Sequence, residues 1–224
     1  MDTDLALIRL LQLVSPSLPI GLYSYSQGME QAVDSAWVTD EHTTGLWVGG
    51  LMERSVSRVD MPILIRLYHA WSKPDPAAVE YWSRQLRAHR ETAELRAEDR
   101  HTGQALARVL INVPLEQATP WLHHDASSLA TVFALAAVTW NIPLSATLNA
   151  YLFGWLENQI LCAVKLIPLG QSAGQRLLFT LASQIPALTA ETRAMTDDDI
   201  GGSSLAQVLA SSRHETQYTR LFRS

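Results

Sequence analysis

The fold is decided by residues 125–170, which read DASSLATVFALAAVTWNIPLSATLNAYLFGWLENQILCAVKLIPLG. Between Asp125 and Glu157 this stretch holds no charged side chain, and Lys165 is its only other charge. Such a run is either a membrane span or the centre of a core. A spanning helix needs about 20 uninterrupted apolar residues, whereas an Asn-Ile-Pro break at 141–143 ends one helix and starts another. We therefore predict two consecutive core helices and no membrane span.

The composition excludes several classes of protein. The chain has 224 residues, a hydrophobic fraction of 47% and a net charge of −5, which indicates a folded domain without the basic surface that nucleic-acid binding requires. Its single cysteine, Cys162, gives no disulfide framework and favours a reducing, cytoplasmic location. Asp2 and Asp4 stand where a signal peptide would carry basic residues, so we expect no such peptide.

Helical periodicity runs through most of the chain, and no segment alternates as a strand would. We predict an all-α fold, a single bundle of about nine to ten helices with a flexible C-terminal tail. Asp60 and Pro62 predict a helix restart, and Arg84, Arg87 and Arg90 are expected on the solvent side of a helix. The predicted division is a helical domain over residues 1–188 and a flexible linker with a partner-binding tail over residues 189–224.

The C-terminal residues differ from the rest in composition. Residues 189–204 are polar and include Gly201-Gly202-Ser203-Ser204, which is typical of a flexible linker. Residues 211–224 combine two aromatic residues with three arginines and contain few core-forming side chains. Ordering a backbone costs about 1–2 kcal/mol per residue, so we predict that this tail is mobile in the isolated chain and folds against a partner.

Few residues suggest catalysis. The glycines around 170–174 lack the ending of a phosphate-binding loop, and Cys162 has no activating neighbour and is interpreted as core. Glu94 and Glu98 share a helix face at i,i+4. They could be an acid–base pair of a small hydrolase or a docking patch, but a solvated charged face is the favoured interpretation. No oriented nucleophile accompanies them, so we predict that the protein is not an enzyme.

Two further features leave alternatives open. Adjacent His123, His124 and Asp125 could bind a borderline metal ion, although neighbouring residues at a helix start point in different directions and Asp125 suits a helix cap. Glu30 could be an exposed carboxylate on a short amphipathic helix, or a contact residue for a basic partner surface. The residue types alone favour neither interpretation of Glu30.

Three separated stretches resemble the UreF family of urease accessory proteins. Their order and spacing span essentially the whole chain, which makes a chance match improbable. Residues 22–23 and Ser212 depart from the usual family pattern, but conservatively. The stretches are LLQLVSPSLPIG at 10–21 continuing into YSYSQGME at 23–30, VKLIPLGQ at 164–171 continuing to GQR at 174–176, and RHETQY at 213–218 followed by RLFRS at 220–224.

The resemblance implies a function that composition does not. UreF-like proteins are all-α and cytoplasmic, have no known catalytic centre and pair as dimers. They bind the accessory protein UreD (also called UreH) and then the GTPase UreG. The resulting assembly delivers nickel to apo-urease, and UreF acts in it as a bridge and a regulator of the GTPase. In this family the C-terminal tail becomes ordered against UreD, which agrees with the coupled folding expected from composition.

We therefore expect a non-catalytic scaffold that needs no cofactor of its own, since nickel is handled by the complex. The alternative is a metallochaperone that binds nickel directly. We expect the partner contacts to come from the loop segment at 15–30, hereafter loop 15–30, and from residues 213–224, hereafter tail 213–224. The residues predicted to contribute are Tyr25, Ser26, Gly28, Glu30, Arg213, His214, Gln217, Tyr218, Arg220, Leu221, Phe222 and Arg223.

Overall fold

A computed structural model describes residues 3–224, and over that range the protein is a helical bundle without strands. The prediction of an all-α fold is confirmed. Two short 3₁₀ turns, Leu22–Ser24 and Glu116–Leu122, lie in the connections. The α-helices are α1 Thr3–Leu13, α2 Met29–Asp34, α3 Glu41–Leu51, α4 Met61–Ser72, α5 Pro76–Ala88, α6 Ala93–Asn112, α7 Leu129–Thr139, α8 Leu144–Leu166, α9 Gln171–Ala182, α10 Ile185–Ala194 and α11 Leu205–His214.

Helices α7 and α8 form the centre of the bundle, as the charge-free stretch predicts. Ser128, not Asp125, caps α7 by accepting a hydrogen bond from the Thr131 N–H. Eight of the eleven residues of α7 are buried, and α8 buries one side along its whole length. Within residues 3–224 no helix is long and apolar enough to cross a membrane. The charge-free run is therefore core, because α4, α6, α9 and α10 cover it.

The expected restart at Asp60 and Pro62 is wrong. A π-helical segment, Met52–Asp60, joins α3 directly to α4, so the three pieces form one continuous helix. The wider π-helical turn leaves backbone carbonyls available as acceptors, and other parts of the chain donate hydrogen bonds to them. The Thr192 hydroxyl donates to Ser57 O at 3.0 Å, and the Gly201 N–H donates to Arg58 O at 3.1 Å. Insertions of this kind often mark functional regions.

The polar C-terminal region contains more helix than its composition suggests. The boundary predicted between residues 188 and 189 falls inside α10, and Ser204 caps a further helix, α11, from its side-chain oxygen. The connection between them is fixed to α4 by Arg66, whose guanidinium donates to Asp197 Oδ1 at 2.9 Å and to Met195 O at 2.8 Å. Tail mobility in the isolated chain stays a prediction.

Candidate functional site

Loop 15–30 and tail 213–224 lie against each other, although they are about 190 residues apart in the chain. Gly28 begins α2 with φ of 85°, a left-handed conformation that glycine adopts without strain. A Cβ at Gly28 would lie 2.9 Å from Ser211 N and 3.2 Å from Ala210 Cβ. The absence of a side chain therefore lets α11 approach the start of α2, and the tail continues from there across the loop.

Glu30 is the residue on which the tail is fixed. Its Oε1 accepts a hydrogen bond from the Leu221 N–H at 2.6 Å, and its Oε2 accepts one from the Phe222 N–H at 2.9 Å. His214 Nε2 lies 3.1 Å from the same Oε2. Glu30 is only 8% exposed, so its interpretation as an exposed carboxylate is wrong. A buried carboxylate needs such donors to offset its desolvation.

His214 bridges two carboxylates at the end of α11. Its Nε2 faces Glu30 and its Nδ1 lies 2.8 Å from Glu94 Oε2, while the imidazole is fully buried. Both ring nitrogens of the imidazole are therefore within hydrogen-bond distance of a carboxylate. Arg220 Nη1 donates to the other oxygen of Glu94 at 2.9 Å. The tail therefore brings two basic groups onto two acidic side chains of the helical body.

Glu98, one turn after Glu94 on α6, holds the last residue. Its Oε2 accepts from the Ser224 hydroxyl at 3.0 Å, and its Oε1 accepts from the Gln27 side-chain amide at 2.7 Å. Burial raises the pKa of Glu98 to about 7, although both hydrogen bonds act in the opposite direction. The favoured interpretation of Glu94 and Glu98 as a solvated charged face is wrong, because the tail covers them.

The backbone of the loop pairs with the backbone of the tail. The Ser26 N–H and hydroxyl donate to Ser224 O at 2.7 and 2.5 Å, and the Arg223 N–H donates to Ser24 O at 2.8 Å. Tyr25 is buried between these contacts, and the Asn158 amide donates to its carbonyl at 3.1 Å. Burial raises the pKa of the Tyr25 phenol. Together these bonds bury one face of the loop under the tail.

The predicted partner-binding residues thus fall into two groups. The buried group holds loop and tail together, and the exposed group faces outward on the docked tail; Gln217 lies between the two in exposure. Tyr218 is fully exposed and Leu221 is 66% exposed. The buried residues are Tyr25, Ser26, Gly28, Glu30, His214 and Phe222, and the exposed residues are Arg213, Tyr218, Arg220, Leu221 and Arg223.

Several residues of this site were missed by the sequence analysis. Gln27 connects two helices, because its side chain donates to Glu98 and accepts from Trp155 Nε1 at 2.9 Å. Lys165, exposed at the end of α8, places its ammonium 5.7 Å from the Tyr23 ring and 5.8 Å from the Phe222 ring. The available signal was their position, because Gln27 and Lys165 both lie in the stretches that resemble the UreF family.

A buried ion cluster lies beneath the loop. Arg90 donates from Nη1 to Asp60 Oδ2 at 3.1 Å and from Nε to Asp99 Oδ2 at 3.0 Å. Its expected place on the solvent side is therefore wrong; Arg84 and Arg87 are exposed as expected. The cluster lines a cavity of about 110 Å³, together with Tyr151 and Glu98. Glu98 and Gln27 therefore belong both to this cavity and to the site at which the tail docks.

The metal and nucleophile candidates are placed as follows. His124 Nε2 lies 3.0 Å from Glu80 Oε2, and its Nδ1 accepts the Ala126 N–H, while His123 and Asp125 are exposed. Within residues 3–224 no three His, Cys, Asp or Glu side chains cluster with metal-binding geometry. Burial raises the pKa of the Cys162 thiol to about 12, which suits a core side chain and not a nucleophile.

The fold and this site define an all-α protein whose tail docks on its own acidic loop and helix. The sequence model of the family described as UreF matches residues 38–182 of the chain. Over its full length the chain is 49% identical to the urease accessory protein UreF of Alkalilimnicola ehrlichii, covering 98% of that relative. Identity is 48% with UreF of Alcanivorax borkumensis, over 98% of each chain, and 46% with UreF of Pseudomonas putida, over 100% of each.

The chain belongs to the UreF family of urease accessory proteins. The resemblance seen in the three sequence stretches is thereby confirmed. An accessory role in urease maturation follows from membership of this family.

Proposed function

We propose that this protein is a non-catalytic scaffold of urease maturation that connects UreD (UreH) with the GTPase UreG in the complex that inserts nickel into apo-urease. The observation that carries the proposal is the docking of tail 213–224 on loop 15–30 through Glu30. It converts two distant segments into one continuous surface. Such a surface suits a bridging protein, because one partner can bind the tail while another contacts the loop beneath it.

In this scheme the two groups of residues have different tasks. Exposed Tyr218 and Arg223 contact the partner, since tyrosine and arginine are enriched in binding hot spots. The exposed Leu221 beside them adds apolar area that a partner can bury. Buried Glu30 and His214 fix the tail in the conformation that the partner recognises. The docked arrangement is the form that the partner stabilises. In the isolated chain the tail exchanges between this form and a released one, which is the mobility that its composition predicts. GTPase regulation then follows from whether the tail is docked.

Tail deletion tests the assignment to UreD. A chain lacking residues 213–224 should no longer co-purify with UreD, whereas Glu116→Ala, at an exposed carboxylate away from the site, should bind normally. A double variant, Tyr218→Ala with Leu221→Glu, changes only exposed side chains and should also lose UreD while keeping its thermal stability. Survival of the complex in both variants would contradict the assignment.

The role of Glu30 in activation needs its own measurement. Glu30→Ala should lower urease activation in cells and uncouple GTP hydrolysis by UreG from the presence of this protein, without unfolding the bundle. Limited trypsin digestion measures tail release directly, because cleavage follows Arg213, Arg220 and Arg223. We expect cleavage there in the isolated chain and protection once UreD is added. A tail protected without any partner would contradict its release.

We also infer that two copies pair in the complex, through helix α1. Four apolar side chains of α1 are 48–60% exposed, namely Leu5, Leu7, Ile8 and Leu11. A second copy can cover them by packing the same helix face around a two-fold axis. Ile8→Glu with Leu11→Glu should yield a monomer in light scattering, whereas Leu46→Glu, at an exposed leucine of α3, should not. A dimer that persists in the double variant would contradict this interface.

We propose that the protein acts in the cytoplasm and has no cofactor of its own. The single buried thiol, Cys162, supports the first assignment. Nickel is cargo of the complex in this proposal. Calorimetric titration of the isolated chain with nickel should therefore give only weak binding, and a stoichiometric high-affinity site lost in His123→Ala with His124→Ala would favour the metallochaperone alternative.

A further inference from the structure

A second surface feature lies away from the docked tail. Helices α4 and α5 and the end of α10 enclose an open groove of about 400 Å³. Buried Ile65 and Ala70 contribute to its floor, and the half-buried Trp82 forms one wall. None of its lining residues belongs to loop 15–30 or tail 213–224. The groove is therefore a separate region of the surface.

The groove is cationic on a protein whose net charge is −5. Arg66, His69, Lys73 and Arg193 line it, against only two carboxylates. Of these two, Asp75 caps α5 by accepting the Ala78 N–H at 3.0 Å, and Asp197 pairs with Arg66. Lys73 and Arg193 form no ion pair with any carboxylate among residues 3–224, and both are exposed. Two cationic groups are thus left to attract negative charge.

The chain itself shows how an acidic segment fits there. The Arg66 guanidinium lies 6.0 Å from the Trp82 ring centroid and binds both the Asp197 carboxylate and the Met195 carbonyl. One guanidinium therefore holds a carboxylate and a backbone oxygen of the same segment. Arginine suits this use, because its planar donors bind two acceptors at once and stack on aromatic faces.

We propose that this groove binds an acidic peptide segment of a partner protein. Its carboxylates pair with Lys73 and Arg193, alongside the intramolecular contact of Asp197 with Arg66. Apolar side chains of the segment contact Ile65, Trp82 and Met195 between those charges. The attraction is local, because the overall charge of the protein is negative and long-range steering would favour basic partners. A segment that alternates acidic and apolar residues fits this arrangement.

Fluorescence anisotropy with a labelled peptide, Glu-Leu-Glu-Glu-Leu-Glu, tests the proposal on the full-length chain. We expect saturable binding at low salt that weakens as salt is raised, and none for the matched Lys-Leu-Lys-Lys-Leu-Lys peptide. Lys73→Glu with Arg193→Glu should weaken binding by about tenfold or more. The control is Arg87→Glu with Arg108→Glu, which changes the net charge equally at two exposed arginines outside the groove.

The two double variants distinguish binding in the groove from a general effect of charge. Equal weakening in both double variants would mean a non-specific charge effect and would overturn the proposal, as would the absence of saturable binding. Amide shifts confined to α4, α5 and the end of α10 in an NMR titration should accompany specific binding. Because the groove shares no residue with the docked tail, its variants should co-purify with UreD normally. Failure of the tail assignment would therefore leave this test unaffected.

Discussion

Glu30 Oε1 accepts the Leu221 N–H at 2.6 Å, which joins two residues 191 positions apart in the chain. The other oxygen of Glu30 takes the next amide and the buried His214 imidazole. One carboxylate thus satisfies three donors from a single segment. Glu30 is therefore the residue whose loss should affect the tail most. These contacts also make the tail different from an exposed chain end without partners in the fold.

Replacement of Glu30 should release the tail. Glu30→Ala removes the acceptor of two backbone amides and one of the two carboxylates at His214, which should cost about 3 kcal/mol of docking free energy. Hydrogen exchange at the Leu221 and Phe222 amides measures this directly, and both should lose protection. Glu116→Ala should leave their exchange unchanged. Protection retained in Glu30→Ala would show that the backbone pairing with residues 24–26 is sufficient to hold the tail.

Glu98 should make stability depend on pH near neutrality. Its pKa is raised from 4.5 to about 7 by burial, so the folded state binds the proton more tightly than the unfolded state. The resulting stabilisation is fully present below the unfolded value and is lost as pH rises through about 7, with a total of roughly 3 kcal/mol. Urea unfolding between pH 5 and 8 should reveal this slope, which Glu98→Gln should largely remove.

Gly28 should not tolerate any side chain. Gly28→Ala places a Cβ at a left-handed φ and 2.9 Å from Ser211 N, which together should cost about 2 kcal/mol or more. Gly50→Ala is the matched control, because nothing lies within 4 Å of its Cβ and alanine is favoured in helices by up to about 1 kcal/mol. Thermal melts should move in opposite directions. Equal melting temperatures would contradict the close approach of α11.

Arg90 should be essential to the bundle. Arg90→Met leaves Asp60 and Asp99 buried without their cation, which should cost about 3–5 kcal/mol. Arg87→Met, at an exposed arginine of α5, should stay within about 0.5 kcal/mol of the parent chain. Asp60→Asn with Asp99→Asn should recover much of the loss in Arg90→Met, because it removes the uncompensated charge. Urea unfolding of all four chains decides the point.

The sequence predicts the core better than the site, for a physical reason. The charge-free run and its Asn-Ile-Pro break locate α7 and α8, because burial of a whole segment leaves a local mark on the sequence. Arg90 shows the limit of this reasoning, since an arginine on a polar face gives no sign that two distant aspartates will surround it. The second half of α10 and the whole of α11 lie in residues 189–224, predicted as linker and tail. The sequence does not show these helices, because their burial depends on contacts with α2, α6 and the π-helical segment.

The same limit applies to the candidate site. Spacing brings Glu94 and Glu98 to one helix face but cannot show that the tail covers that face. Resemblance to a family identified loop 15–30 and tail 213–224, although it gave no indication that the two segments bind each other. Such contacts join residues far apart in sequence, so only the folded chain brings them together.

The long separation between Glu30 and Leu221 has a consequence during synthesis. Translation at about 5–20 residues per second places the tail roughly 10–40 s behind the loop that receives it. Throughout that interval Glu30 lacks its donors from the tail, as do Glu94 and Glu98 once α6 has been made. Other basic segments can bind these carboxylates first, so assembly with a partner on the ribosome is open to this protein before its own tail is complete.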